Sequence, residues 1–424
     1  MSIQSAVVLA AGEGRRLRPL TRNRPKPMLP AATRPIIEHV FDALLSAGVT
    51  DLHVVVGYKR QRVQNHFGPT YDGVSVTYHV QEKPLGSGHA LLQAADGVGE
   101  EFLVVNGDQV VDPQLVQNVV DAHDGRSGDE QDETAATLCV VESERASRYG
   151  SVRLDGDRVV ELVEQPLEGH YRLVNAGVYA FTDAIFETIR ETPTVDGTTP
   201  LPDAIARLVE SDTSVRGVQS EGYWTDATYP WDLLAATRRL LADGTNVFRS
   251  SNQRINGHQT ETRTDAGVRR RRNGVWVAPG ARVHENATLQ APVVVAADCE
   301  IGPGAVVGPN VAVGQNATVG PNAVVVDSIV DEDTRIGANS TVVDCVTGQA
   351  VWLGPSCVVT GGPADVRVDT QIHEGKRLGA VVGDRVHAEG DVSFAPGTLV
   401  GSNATLRTGT VVSGLLAPKS EVVR

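Results

Sequence analysis

Lysine is nearly missing from this chain of 424 residues: only Lys26, Lys59, Lys83, Lys376 and Lys419 occur, arginine supplies the remaining cations, and the formal charge is −14. So acidic a balance excludes a general binder of nucleic acid or of an anionic membrane surface. It suits a high-salt cytoplasm, where surface carboxylates keep a protein hydrated. Cysteine is scarce as well. Cys139, Cys299, Cys345 and Cys357 show no CxxC spacing and no histidines at ligand distances, so they read as buried small residues of a reducing compartment. No apolar run approaches the ~18 residues of a membrane span, and no leader pattern opens the chain, which implies a soluble, cytoplasmic protein. Two familiar phosphate-binding signatures also fail. Gly12-Glu13-Gly14 begins like GxGxxG, but Leu17 stands where the third glycine belongs, and no P-loop motif follows.

What is present falls into two halves, as the length leads one to expect. Up to about Asp243, short β-rich runs alternate with amphipathic stretches: SAVVLA (5–10), DLHVVVG (51–57), VSVTYHV (74–80), EFLVVNGD (101–108) and TAATLCVVE (134–142), with PIIEHVFDALLSAG (35–48) and HALLQAADGV (89–98) among the helices. This alternation predicts an α/β domain over 1–243, a Rossmann-like, mostly parallel sheet with helices on both faces. Ligands of such sheets sit outside the carboxyl ends of the strands.

From about Val275 the spacing becomes six. Val277, Val283, Leu289, Val295, Ile301, Val307, Val313, Val319 and Val325 follow without a gap; the series shifts by one to Val330, Ile336 and Val342, and returns at Val382, Ala388, Phe394, Val400, Leu406 and Val412. A parallel β-helix produces this period, one inward aliphatic per flat side. The pattern resembles the left-handed hexapeptide-repeat helix, expected over 275–424. Residues 244–274, ending in VRRRRNG, read as a polar linker.

The string VVLAAGEGRRLRPLTRNRPKPMLP (Val7–Pro30) concentrates cations on a glycine-bearing loop behind the first strand. Exposed amides, a guanidinium and an ammonium can together hold a triphosphate. The string closely resembles the signature of the sugar-1-phosphate nucleotidyltransferases, which join a nucleoside triphosphate and a sugar 1-phosphate into an NDP-sugar and pyrophosphate.

That resemblance implies a set of roles over the first 240 or so residues. Leu9, Ala10, Ala11, Gly12, Glu13, Gly14 and Arg15 would wrap the nucleotide, with Arg15 and Lys26 on the reacting phosphates. Gln81 of QEKPLGSGHALLQA would read a pyrimidine edge, with Gly86 and Ser87 beside the base. Gly150, Glu164 and Asn175 would contact the sugar, and Asp108 of VVNGD and Asp226 of YWTDATYPW would hold Mg²⁺. Two acceptor-only carboxylates suit that ion, and the chemistry is chiefly positioning and charge neutralisation. UTP is favoured and dTTP possible; glucose 1-phosphate and N-acetylglucosamine 1-phosphate both remain open. Many relatives carry a lysine where this chain has Gln165, with Lys83 and Arg172 the available substitutes.

Two-domain archaeal-type relatives also acetylate glucosamine 1-phosphate on the repeat half. Here Ala338, Thr341 and Gly361 replace the expected histidine, tyrosine and asparagine, although Lys376 is kept; His373 and His387 do not align with the histidine. The reading is therefore a single-activity nucleotidyltransferase with a structural, trimer-forming β-helix. Two alternatives stand beside it: a bifunctional enzyme, and a silent regulatory subunit that binds sugar nucleotide.

Overall fold

The computed structural model describes residues 3–124, 134–143, 146, 149–164, 166, 171–211, 213–244, 269–272 and 274–424. They form two compact units, one of residues 1–13, 25–28 and 36–226, the other of residues 14–24, 29–35 and 227–424.

The first unit is built on a ten-stranded sheet. At its centre, Val74–Val80, Asp51–Val56, Ser5–Ala10 and Glu101–Asn106 lie side by side and parallel. Leu173–Thr182 then joins antiparallel to both Glu101–Asn106 and Ala136–Glu142, and Val215–Gln219 runs parallel to Ala136–Glu142. The two innermost strands, Ser5–Ala10 and Glu101–Asn106, are apolar through their middles because both of their faces are covered. On one face Ala6, Val8, Val54 and Val105 pack with Ile37, Val40 and Phe41 of helix Ile36–Ser46 and with Val116 and Val119 of helix Pro113–Asp124. On the other, Val7, Val55 and Val104 pack with Leu91, Ile185 and Ile205. Strand order reverses between Ser5–Ala10 and Glu101–Asn106, so their carboxyl ends open on the crevice where such sheets bind ligands.

At one side of this unit the His53 and His79 rings stack 5.2 Å apart and share a 3.0 Å contact between Nδ1 and Nε2, with Asp51 on the far nitrogen of His53. Burial, then the His53 charge, holds His79 below its ordinary value. A depressed folded pKa means that stability is complete above the unfolded value of about 6.5 and is lost as pH falls through it. Acidifying from about pH 7.5 to about pH 5 should lower the melting temperature less in His79→Gln than in the wild type. Equal losses would remove His79 as a contributor.

In the second unit three sheets are threaded by one coiling chain, and from Val275 on each coil strand pairs in parallel with the third coil strand after it, two hairpin strands aside. Val283 lies beneath Ile301, and Ile301 beneath Val319. The left-handed hexapeptide-repeat helix is thus the fold of this half, and the inward series is the predicted one: Val277, Val295, Ile301, Val307, Val313 and their successors form a single buried column. The break in the sequence rhythm holds a further coil, whose Leu353 and Val359 continue the column, and then a hairpin, Pro363–Val368 with Gln371–Arg377, inserted before the next coil. Cys299, Cys345 and Cys357 sit inside the column and Cys139 in the first sheet, all free thiols, and burial raises each. Of the expected linker, 245–268 and 273 lie outside the described residues; Arg269–Arg272 is a strand antiparallel to Val275–Val277. No helix among the described residues is long and apolar enough to cross a membrane.

Candidate active site

Beyond Asn106 the chain turns through Gly107 and Asp108 into the short strand Gln109–Val111, which pairs antiparallel with Trp224–Asp226. Asp226 lies opposite Gln109, so the ribbon register brings two aspartates far apart in sequence onto one spot. Gly107 makes the turn possible: its N–H donates to the Leu9 carbonyl at 2.9 Å, and a Cβ there would come within 3.0 Å of Val8 Cγ1. Between the carboxylates stands the buried ammonium of Lys26, which donates to Asp108 Oδ2 and Asp226 Oδ1, each at 2.8 Å. Burial lowers its affinity for a proton, but the charges of Asp108 and then Asp226 outweigh this and raise it well above the ordinary lysine value. The pair's contribution is therefore fully present below the unfolded value of about 10.4 and is lost only at higher pH. Lys26 therefore stays charged at any working pH.

The opening loop is divided. Leu9 and Ala10 end the first strand in the core, and the Ala11 carbonyl accepts from Tyr58 N–H at 3.2 Å. Gly12 is exposed, with nothing within 4 Å of the place a Cβ would take. Glu13 completes this stretch of the first unit, while Gly14 and Arg15 belong with the second. Gly14 is left-handed at φ 69° and its carbonyl accepts from Thr21 Oγ1 at 2.8 Å; Arg15 is exposed and opens the 3₁₀ turn Arg15–Leu17, which buries Leu17.

Gln81 follows the strand Val74–Val80 and is buried. Its Nε2 donates to the Gly86 carbonyl and contacts His89 Nδ1, both at 3.0 Å. Gly86 has φ +98°, and a Cβ would lie 2.5 Å from the Thr199 carbonyl oxygen, so no other residue fits there. Ser87 begins the helix Ser87–Leu92, and its Oγ accepts from Leu201 N–H at 2.8 Å.

Gly150, Glu164 and Asn175 are also brought together. Gly150 pairs with Glu164 across the edge hairpin, and a Cβ on Gly150 would stand 2.7 Å from Glu164 Oε1 and 3.7 Å from Asn175 Cβ. Desolvation, and secondarily the Asp203 charge, raises the Glu164 carboxyl above the ordinary range. Asn175 donates to the Tyr179 hydroxyl at 2.8 Å and accepts from Gly177 N–H at 3.0 Å, inside an irregularity of its strand. Gln165 lies outside the described residues, and Lys83 and Arg172 are exposed.

Two residues were missed by sequence reasoning. Buried Gln109 donates to the Gly177 carbonyl at 3.0 Å and accepts from Trp224 Nε1 at 3.1 Å, and that indole also donates to the Ala176 carbonyl at 2.8 Å. They tie the aspartate ribbon to the Asn175 turn. Their only sequence signal was position, one residue after Asp108 and two before Asp226.

Residues 5–243 match the family described as nucleotidyl transferase. The chain belongs to that family. Residues 289–413 match a second family, the GMPPB C-terminal domain. The chain is 30% identical to the bifunctional protein GlmU of Methanococcus vannielii over 437 aligned residues, covering 99% of this chain and 97% of that one. It is 36% identical to the UTP–glucose-1-phosphate uridylyltransferase AglF of Haloferax volcanii, across 57% of this chain and 98% of AglF. Among solved structures, a UDP-glucose pyrophosphorylase from Acinetobacter baumanii superposes with a TM-score of 0.51 at 24% identity, over 58% of this chain and 95% of its own. Membership brings the reaction with it, transfer of a nucleotidyl group to a sugar 1-phosphate, and the silent-subunit alternative falls away.

In the coil half of this nucleotidyltransferase, Thr341 begins the strand Thr341–Val343, while Ala338 and Gly361 stand in turns between strands. His387 stacks on exposed Trp352 at 5.7 Å. His373, on the inserted hairpin, packs against Tyr229 and Trp231 at 4.5 and 5.2 Å.

Proposed function

We propose that this nucleotidyltransferase takes UTP and either glucose 1-phosphate or N-acetylglucosamine 1-phosphate as its substrates, with Mg²⁺ held by Asp108 and Asp226. The observation that carries the reading is the convergence of both carboxylates on the Lys26 ammonium. Two protein oxygens meeting at a point already filled by a cation fit an ion that takes most of its remaining ligands from water and substrate phosphates. Bound there, the ion would neutralise phosphate charge; the rest falls to the chain. Lys26 and Arg15 offset the repulsion between the two substrates, and Leu9–Gly14 supplies backbone to the triphosphate. A sugar phosphate oxygen attacks the α-phosphorus, the bond from that phosphorus to the bridging oxygen breaks, and pyrophosphate leaves with its electron pair.

Gln81 supports uracil. With Nε2 committed to Gly86 and His89, its carbonyl oxygen is the group left to accept from the ring N–H that uracil and thymine carry and cytosine lacks. Gly150, Glu164 and Asn175 serve the sugar, with the Glu164 carboxyl and the Asn175 amide supplying polar groups to its hydroxyls. The coils act as a structural scaffold through which copies associate in threes, in the cytoplasm.

A second reading, added acetyl transfer from acetyl-CoA to glucosamine 1-phosphate, is favoured by the full-length match to a protein named bifunctional. Ala338, Thr341 and Gly361 count against it. One experiment separates the two. The purified chain is incubated with Mg²⁺, each of the four NTPs, and several sugar 1-phosphates, and pyrophosphate is measured. UTP should lead, followed by dTTP, and no thiol should appear from acetyl-CoA with glucosamine 1-phosphate. Preference for a purine nucleotide refutes the role of Gln81, and thiol release establishes the second activity.

A further inference from the structure

The coil unit includes two stretches of chain that adjoin Lys26 and Asp226 in sequence. One is residues 14–24, which ends two residues before Lys26. The other begins at Ala227, immediately after Asp226, and continues as the helix Pro230–Asp243. Both belong to the compact unit of the coils. Their grip is ionic and buried, which is unusual for contacts made only to fill space. Arg24 donates to Asp331, and both side chains are almost fully enclosed. Asn23 donates to Asp384 Oδ2 at 2.8 Å, and Asp384 is itself buried. On the other stretch, Arg238 donates to Asp327 Oδ1 at 2.8 Å and to Asp344 Oδ1 at 2.9 Å, while Arg377 of the inserted hairpin closes on the same two carboxylates at 3.2 and 3.0 Å. Tyr229 and Trp231, stacked at 4.7 Å, are covered by His373 of that hairpin.

A buried ion pair contributes little net stability, because desolvation offsets most of the attraction, but it fixes geometry and is severe to break. Arg24 is joined to Lys26 by a single intervening proline, Pro25, whose fixed φ leaves little slack between them. We propose that Asp331, acting through Arg24, is a positioning residue for Lys26, so that the coils govern turnover without touching substrate. The inference rests on the assignment of Lys26 to the reacting centre. It assigns the coil half a task in the nucleotidyl transfer itself, separate from any acetyl transfer. It also gives a reason for the inserted hairpin, which completes the hold on the stretch after Asp226.

The test uses the full chain and three variants, Arg24→Gln, Asp331→Asn and the double substitution. Each single variant should lose roughly ten- to a hundred-fold in kcat, the range that small misplacement of a reacting group produces, with KM for UTP little changed. The double variant should be no slower than the slower single one, since both act through one contact. Each single variant should melt lower than the wild type, because it leaves one buried charge unpaired, so turnover is compared at a temperature well below every transition. An unchanged kcat in folded Arg24→Gln protein overturns the proposal. So does a double loss equal to the product of the single losses, or a loss that merely follows a lowered melting temperature. Should Asp331→Asn not accumulate as folded protein, Arg24→Gln alone decides by its split between kcat and KM. A Lys26→Met control keeps the premise separate: full activity there would discard the role of Lys26 rather than the coupling.

Discussion

Asp108→Asn should lose about 10²–10³-fold in turnover, the range that removing one electrostatic partner of a reacting centre produces, with the fold intact. The substitution keeps size and hydrogen-bonding capacity but takes away one of two charges. Asp108 is partly exposed on a turn and holds no core element, whereas Lys26 would still pair with Asp226. Far-UV circular dichroism and melting should therefore match the wild type while pyrophosphate release collapses. Raising Mg²⁺ should recover part of the rate, because a weakened ligand set is filled by mass action. A variant that turns over near-normally would show that the metal-binding carboxylates lie elsewhere.

Ile301→Ala should cost about 2–5 kcal/mol, the usual loss for removing a fully buried aliphatic side chain. The residue stands in the second coil of the inward column, with Val283 on one neighbouring coil and Val319 on the other. A coil has no core of its own, so a cavity weakens both interfaces it shares. The column is narrow and rigidly paired, which leaves the surroundings little room to collapse into the gap. Calorimetry should show the transition of the coil unit lowered and any oligomer dissociating more readily. Because residues 14–24 and 227–243 belong to that unit, turnover should fail at the same lowered temperature. Melting and assembly unaltered by the change would mean that the inward register is misread.

Much of the fold was legible because two simple periods separate the halves. In the first, unbroken aliphatic strands such as Ser5–Ala10 and Glu101–Asn106 announce burial on both faces. In the second, an inward residue every sixth position leaves one architecture that can bury it. The antiparallel insertion of Leu173–Thr182 was not legible, since strand order depends on contacts distant in sequence. The hairpin Pro363–Arg377 showed only as a missing rhythm.

The site divides along the same line. Local conformation could be read from the string itself: Gly14 at φ 69° lies in the left-handed region that glycine favours, and Gly86 at φ +98° stands where no side chain fits. Chemical type could be read too, because carboxylates, an ammonium and small residues are needed wherever phosphate and a cation meet. Which side chains share one point could not. The register of Gln109–Val111 against Trp224–Asp226 decides that Asp108 and Asp226 meet on Lys26, and the long-range bonds of Gln109 and Trp224 fix the turn beside them. Likewise nothing in the string sets Arg24 apart from the cations around it; the fold pairs it with Asp331. Periodicity and backbone restriction act over a few residues and are written in order along the chain. Convergence of charge depends on pairings across two hundred or more positions, and only the folded chain sets those distances.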